Sequence, residues 1–356
     1  MSELPVALDA MGGDRGLAPN VEGAIVAARD DGARVILVGD EAAILSDIDR
    51  SNARDLVTRG SLIVRHAPDV VAMDEKPATA ARRKKDSSMR RATDLVEAGE
   101  ACGVISAGNS GAMMATALLV FGRIDGIARP AIGTMLPSSS GLVHLVDAGA
   151  NIDCEPFHLA QWAVMSSTYV ERTYGVVRPR VGVMSNGEEE SKGTELTRAT
   201  LALLRELPQV NLIGHVEGRD LNAGTVDVIV TDGFTGNVIL KTGEGVFRFV
   251  MSELKKGYAE GTVKEKIGGA LSASMFERLR KKLDPREFGA APLLGLARPA
   301  FIAHGSSDAY SIRRGIGAVR TYAQNDLLAH MKTAITATLP LLQRPVSPAD
   351  KGAASA

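Results

Sequence analysis

The chain has 356 residues, enough for one large unit or about two domains around a substantial core. Hydrophobic residues make up 45% and charged residues 23%, which excludes a disordered or fibrous chain; Lys+Arg 41 against Asp+Glu 42 leaves a net charge of -1, so no global field draws it to nucleic acid or a membrane. Two cysteines, Cys102 and Cys154, make no disulfide framework and fit a reducing cytosol, and 4% aromatics argue against a base-stacking surface.

From the N-terminus, "MSELPVALDAMGGD" lacks a basic region ahead of a long apolar core, so no signal peptide is expected, and the run Ala112 to Phe121 is too short to span a bilayer. Strands are predicted, in order, at "PVALDA", "RVILVGD", "SLIVRHA", "ACGVISAG", "AIGTML", "GLVHLVDAG", "RVGVMSNG", "VDVIVTDG" and "RPAFIAHG". Most are rich in Val, Ile and Leu with little polar alternation, as strands buried on both faces should be. Helical patterns fall between them, at Pro19 to Arg29, Ser88 to Glu100, Phe157 to Tyr174, Thr194 to Leu207 and Phe234 to Tyr258. This βα alternation predicts an α/β fold on a largely parallel sheet, whose ligands bind beyond the carboxyl ends of the strands. One catalytic unit is expected over residues 1–335, with a disordered tail over 336–356.

Six strand exits carry glycine together with Asp, Asn, Ser or Thr: Asp9 to Asp14, Ser106 to Ala112, Val146 to Asn151, Ser185 to Glu195, Thr231 to Asn237 and Ala303 to Ala309. Such a set predicts a shared polar site for an anion. In "AGNSGA" the helix start is left bare, with backbone N–H groups and a hydroxyl facing outward; Asn109 or Ser110 would serve equally well as an ordinary N-cap. "GIGAVR" ends in Arg within a helical pattern, so it is no dinucleotide fingerprint, and "GEEESKGT" has its lysine at the wrong offset for a Walker loop. Histidines and cysteines show no zinc spacing, no Gly-x-Ser-x-Gly elbow is present, and both cysteines read as structural. The remaining groups suit inorganic phosphate acting as nucleophile on a thioester or ester carbonyl.

In their order, "VALDAMGGD", "KPATAARRKKDSSM", "VISAGNSGA", "RPAIGTMLP", "VDAGANIDC", "VDVIVTDGFTGNVILK" and "AHGSSDA" resemble the bacterial phosphate acyltransferases, which convert acyl-[acyl-carrier-protein] and inorganic phosphate to acyl phosphate for phospholipid synthesis. The resemblance covers about residues 5–330. It implies a Rossmann-like three-layer αβα fold akin to isopropylmalate dehydrogenase and phosphotransacetylase, a homodimer, and no cofactor or metal. The chain departs from the family pattern at Ser185 and Asn186, where Asn and Ile are usual, and at Ser110, where Thr is usual. Gly12, Gly13, Asn109, Ser110, Gly111, Ser306 and Ser307 are expected to cradle phosphate. Lys192 is expected to stabilise charge at the phosphate or carbonyl oxygen, unless it is a surface partner of Glu188, Glu189 and Glu190; Asp232 would orient or deprotonate phosphate, with Asp9 a further catalytic carboxylate and Asp147 a third carboxylate of the cleft.

A basic amphipathic segment is expected to protrude at about 255–285. Ile267, Leu271, Met275, Leu279 and Leu283 recur every four residues beside Phe276, and residues 255–282 carry eight Lys/Arg against three Glu. Lys264, Lys266, Met275, Phe276, Arg278, Leu279, Arg280, Lys281 and Lys282 are its expected contacts with an acyl-carrier protein or an anionic inner-membrane surface, the partner subunit being the other occupant. Gly268-Gly269 would weaken the helix there. The expected location is cytoplasmic and peripheral to the membrane. Alternative readings are a short-chain phosphotransacetylase using acyl-coenzyme A, a decarboxylating dehydrogenase with metal and nicotinamide, and a non-catalytic binding module.

Overall fold

The computed structural model describes residues 4–342. The chain opens with β1 (Val6–Asp9), α1 (Leu17–Asp30), β2 (Val35–Gly39), α2 (Glu41–Arg50), α3 (Arg54–Thr58), β3 (Leu62–His66), α4 (Pro77–Arg83), α5 (Ser88–Glu97), β4 (Gly103–Ser106) and α6 (Ser110–Phe121). A hairpin of β5 (Ala131–Ser138) and β6 (Gly141–Val146) leads into α7 (Pro156–Tyr174), β7 (Arg180–Met184), α8 (Glu195–Arg205), β8 (Asn211–Val216), α9 (Asp220–Ala223) and β9 (Val228–Val230). Two long helices, α10 (Gly233–Glu260) and α11 (Val263–Leu283), precede β10 (Ala290–Leu294), β11 (Ala300–Ala303), α12 (Ala309–Gln324) and α13 (Leu327–Leu342).

Among the described residues all strands join one sheet in the order β3-β2-β1-β4-β11-β10-β5-β6-β9-β7-β8. Its first part, β3 to β11, is parallel, as is its last, β6 to β8. Between them β10 runs antiparallel to both neighbours, and β5 pairs antiparallel with β6. The two parallel parts therefore point in opposite directions. The six polar exits accordingly divide: the loops after β1, β4 and β11 form one group, and those after β6, β9 and β7 form another.

Helices cover both faces. Val6 and Leu8 turn to the larger core, beneath residues of α1, α7, α8, α12 and α13, while Ala7 and Val104 face a second core with Met89, Ala92 and Met113 of α5 and α6. The sheet is thus the middle of three layers, its strands apolar on both sides because neither side meets water. Two strands escape the sequence pattern for physical reasons. β8 is half-exposed and contains Gly214, and β10 carries Pro292, a residue that usually argues against a strand, paired here with Phe301.

At the C-terminus the expected disorder from 336 is corrected over 336–342, which continue α13. Thr338 is buried and accepts a 2.8 Å hydrogen bond from Gln209 Nε2. Residues 343–356 lie outside the described residues.

Candidate active site

In the first loop group Asp9, 2% exposed, ends β1 and accepts hydrogen bonds from Ser106 Oγ (2.7 Å) and Met11 N (3.2 Å). Ser106 Oγ in turn accepts Gly108 N at 3.0 Å, so one buried carboxylate fastens the exits of β1 and β4 together. Burial holds the Asp9 carboxyl above the usual carboxylate range, against the lowering effect of the Ser88, Ser106 and backbone donors. Its burial and bonding make it a positioning group for the loops, not an accessible base. A Cβ at Gly12 would lie 2.7 Å from Gly108 N, so the two loops approach as only glycine permits.

Asn109 caps α6, its Oδ1 accepting Ala112 N at 3.0 Å, while its Nδ2 donates to Met73 O and Glu75 O, both at 2.9 Å. The capping role thus takes its side chain, and any part in an anion cradle falls to backbone. Among the described residues the N–H groups of Ser110 and Gly111 have no acceptor, as expected for a first helical turn. At Gly111 an added Cβ would strike Pro77 Cγ at 2.7 Å, so that glycine serves the packing of α4 on α6.

After β11, Asp14 N donates to Gly305 O at 2.7 Å and brings Gly13 against this third loop. Ser307 is buried and its Oγ has no partner, a hydroxyl available to a ligand or water. Ser306 is already engaged. Its Oγ lies 2.8 Å and its backbone N–H 3.2 Å from His304 Nδ1, and His304 Nε2 lies 3.4 Å from Lys241 Nζ on α10. Lys241 also bridges Glu244 at 3.1 Å. The sequence reading missed His304 and Lys241. The only signal was their place, one directly after β11 and the other two turns into a helix that starts at a polar exit.

In the second group Asp147, fully buried, accepts from the backbone of Ile132, Gly149, Ala150 and Asn151 and from Asn151 Nδ2, all between 2.7 and 3.1 Å. Burial nonetheless raises its carboxyl pKa. Asp232 caps α10 through Thr235 N (2.8 Å) and Thr235 Oγ1 (2.7 Å), and a Cβ at Gly236 would lie 1.9 Å from Asp147 O, so the helix start sits directly on the 147–151 loop. Cys154, half-buried here, has its thiol pushed up to about 11, by burial first and further by Asp147 and Asp232 against a lowering hydrogen bond from Gly233, which disfavours the thiolate. Lys192 is exposed after β7 and makes no ion pair among the described residues; Glu188 and Glu190 pair instead with Arg219 and Arg205. Asn186 Oδ1 accepts Gly193 N at 2.8 Å and closes the Lys192 loop, while Ser185 Oγ is buried without a partner. The structure joins the first group to the second through α10, which begins at Asp232 and carries Lys241 to His304; it shows no bond between Lys192 and either Asp232 or the cradle. Among the described residues no cluster of three or more His, Cys, Asp or Glu side chains is placed to hold a metal ion.

The expected basic segment forms the end of α10 and all of α11. Ile267, Leu271, Met275 and Leu279 are 40–80% exposed, and Lys264, Lys266, Arg278, Lys281 and Lys282 are exposed with them. Phe276 packs edge-on against Tyr258 at 5.4 Å. The Arg280 side chain lies outside the described residues. α11 runs unbroken through Gly268-Gly269, begun by a capping box of Thr262 and Glu265, and Gly269 leaves room for the Tyr258 ring. Among the described residues no helix is long and apolar enough to cross a membrane.

The family model for the fatty acid synthesis protein matches residues 4–330. The chain belongs to this family. It is 47% identical over 341 residues to a phosphate acyltransferase of Anaeromyxobacter dehalogenans, covering 96% of this chain and 93% of the relative, and 45% identical to one of Pelotomaculum thermopropionicum, covering 93% and 95%. Membership makes it an acyltransferase of fatty acid synthesis. Two solved structures share the fold: a phosphotransacetylase of Streptococcus pyogenes (TM-score 0.59, 16% identity, 91% of this chain and 94% of that one) and the EutD phosphotransacetylase of Staphylococcus aureus (TM-score 0.57, 18% identity, with the same coverage).

Proposed function

We propose that this acyltransferase moves a long-chain acyl group from acyl-[acyl-carrier-protein] to inorganic phosphate, giving the acyl phosphate that feeds phosphatidic acid and phospholipid synthesis. The single observation that carries the reading is the first loop group, where the acceptor-free N–H groups of Ser110 and Gly111 start a helix in the loop that lies against Gly12. Such N–H groups with a helix dipole behind them bind phosphate. The Ser307 hydroxyl and Gly13 complete the cradle, Asp9 holds its loops in register, and Lys192 supplies positive charge from the second group. The relatives' name, phosphate acyltransferase, supports the same acceptor.

In this reading a phosphate oxygen attacks the thioester carbonyl carbon, the carbonyl oxygen takes up negative charge, and collapse expels the carrier thiolate. The proton lost by hydrogen phosphate is the one the thiolate gains. Asp232, with its oxygens turned to Thr235, fixes the start of α10 beside the reacting groups. The α10–α11 hairpin is the contact for an anionic membrane surface, its basic side chains beside its apolar ones, in a homodimer on the cytoplasmic side.

Incubation with long-chain acyl-[acyl-carrier-protein] and phosphate should yield hydroxylamine-trappable acyl phosphate and one free carrier thiol for each. Turnover with acyl-coenzyme A alone would reject the carrier-bound donor, and thiol release without phosphate dependence would reject the acceptor.

A further inference from the structure

His304 and Lys241 stand where the two loop groups meet, and their hydrogen-bonding capacities do not match each other. The Ser306 backbone N–H, which can only donate, points at His304 Nδ1 from 3.2 Å, and Ser306 Oγ is 2.8 Å from the same nitrogen. Nδ1 must then be the unprotonated, accepting nitrogen, which puts the imidazole proton on Nε2. Facing Nε2–H at 3.4 Å is Lys241 Nζ, an ammonium held by both oxygens of Glu244 at 3.1 and 3.2 Å. Two donors thus converge with no acceptor between them. The opposite tautomer would let Lys241 donate to Nε2 but would set Nδ1–H against the Ser306 N–H. Both side chains are solvent-exposed, with 47% of the Lys241 side chain accessible, so an incoming group reaches them without opening the fold.

The geometry points to the acceptor that satisfies both donors: the acyl carbonyl oxygen as it becomes an oxyanion, making His304 and Lys241 catalytic residues that hold it between Nε2–H and Nζ. This inference rests on the proposed acyl transfer to phosphate. As the phosphate oxygen bonds to the carbonyl carbon, the C=O π electrons move onto the oxygen held by the pair. As the C–S bond breaks they return, and the donors let go. Ser306 is then a positioning residue that sets the tautomer, which explains why a cradle serine points at a histidine.

Two measurements test this. His304→Ala and Lys241→Met should each lower kcat about 100- to 1000-fold, the usual loss for one oxyanion donor, with the phosphate KM within about threefold of wild type and an unchanged thermal midpoint. The double variant should lose less than the product of the two, because both act on one oxygen. A retained kcat, or a rise in phosphate KM alone, would overturn the assignment. Independently of turnover, 15N shifts of the His304 ring, identified by difference from His304→Ala, should report the Nε2–H tautomer, and finding Nδ1–H would overturn it too. If wild type forms no acyl phosphate while the ring shows Nε2–H, the functional reading fails and the catalytic role falls with it; if wild type turns over while either variant keeps its kcat, the catalytic role alone is overturned.

Discussion

Asp9 and Ser106, both almost wholly buried, spend their oxygens on the loops around them, whereas Leu271 on α11 stands 80% exposed and Phe249 on α10 stands 66% exposed. The two regions are built for different tasks. At the strand exits, fixed loops hold donors where an anion can reach them, and geometry matters more than surface. On the hairpin the apolar side chains meet little of their own chain, so their energy is realised only against something else. Substituting one of the buried, bonded oxygens of the first region should therefore cost stability as well as activity, and a substitution at the second should cost contact alone.

The largest effect is expected at Asp147, the fully buried carboxylate with five N–H donors. Asp147→Ala leaves those donors without their acceptor and should destabilise the protein by at least about 3 kcal/mol in urea unfolding. A loss below about 1 kcal/mol would show that water replaces the carboxylate and that the second group is loosely held.

A pH effect of intermediate size comes from His144, buried in β6 against Tyr169 with both ring nitrogens unpartnered and its pKa pushed down to about 3 by burial. A depressed folded-state value means the stability is fully present above the ordinary imidazole value of about 6.5 and is lost as pH falls from there toward the folded value. Its slope is at most about 1.4 kcal/mol per pH unit. His144→Leu should flatten that part of the stability profile. An unchanged slope would assign the acid lability to other groups.

The smallest effect on stability belongs to the hairpin. Met275→Glu and Leu279→Glu should each change unfolding free energy by less than about 0.5 kcal/mol while abolishing flotation with anionic vesicles. Equal flotation of wild type and variants, or none by any of them, would leave the stripe as a protein interface.

Much of this contrast was legible in the residues. The apolar runs ending in Asp9, Ser106 and Val146 announced strands buried on both faces, and the spacing of Ile267, Leu271, Met275 and Leu279 announced one exposed helical face. What was not legible came from antiparallel pairing. Nothing local to Pro292 signals that β10 reverses direction, and that reversal divides the polar exits into two groups. Asn109 was legible as both a cap and a ligand, and only the carbonyls of Met73 and Glu75 reveal how its amide is spent. His304 and Lys241 lie 63 residues apart, and only the path of α10 brings them together.

Phosphate binding at the first loop group is the property on which acyl transfer depends. Titrating inorganic phosphate into 15N-labelled protein should shift the backbone amides of Gly13, Ser110 and Gly111 most, in one saturable step, with a smaller shift at Gly193 of the Lys192 loop in that same step. Shifts centred on Gly193 or Gly233, with Ser110 and Gly111 silent, would contradict it.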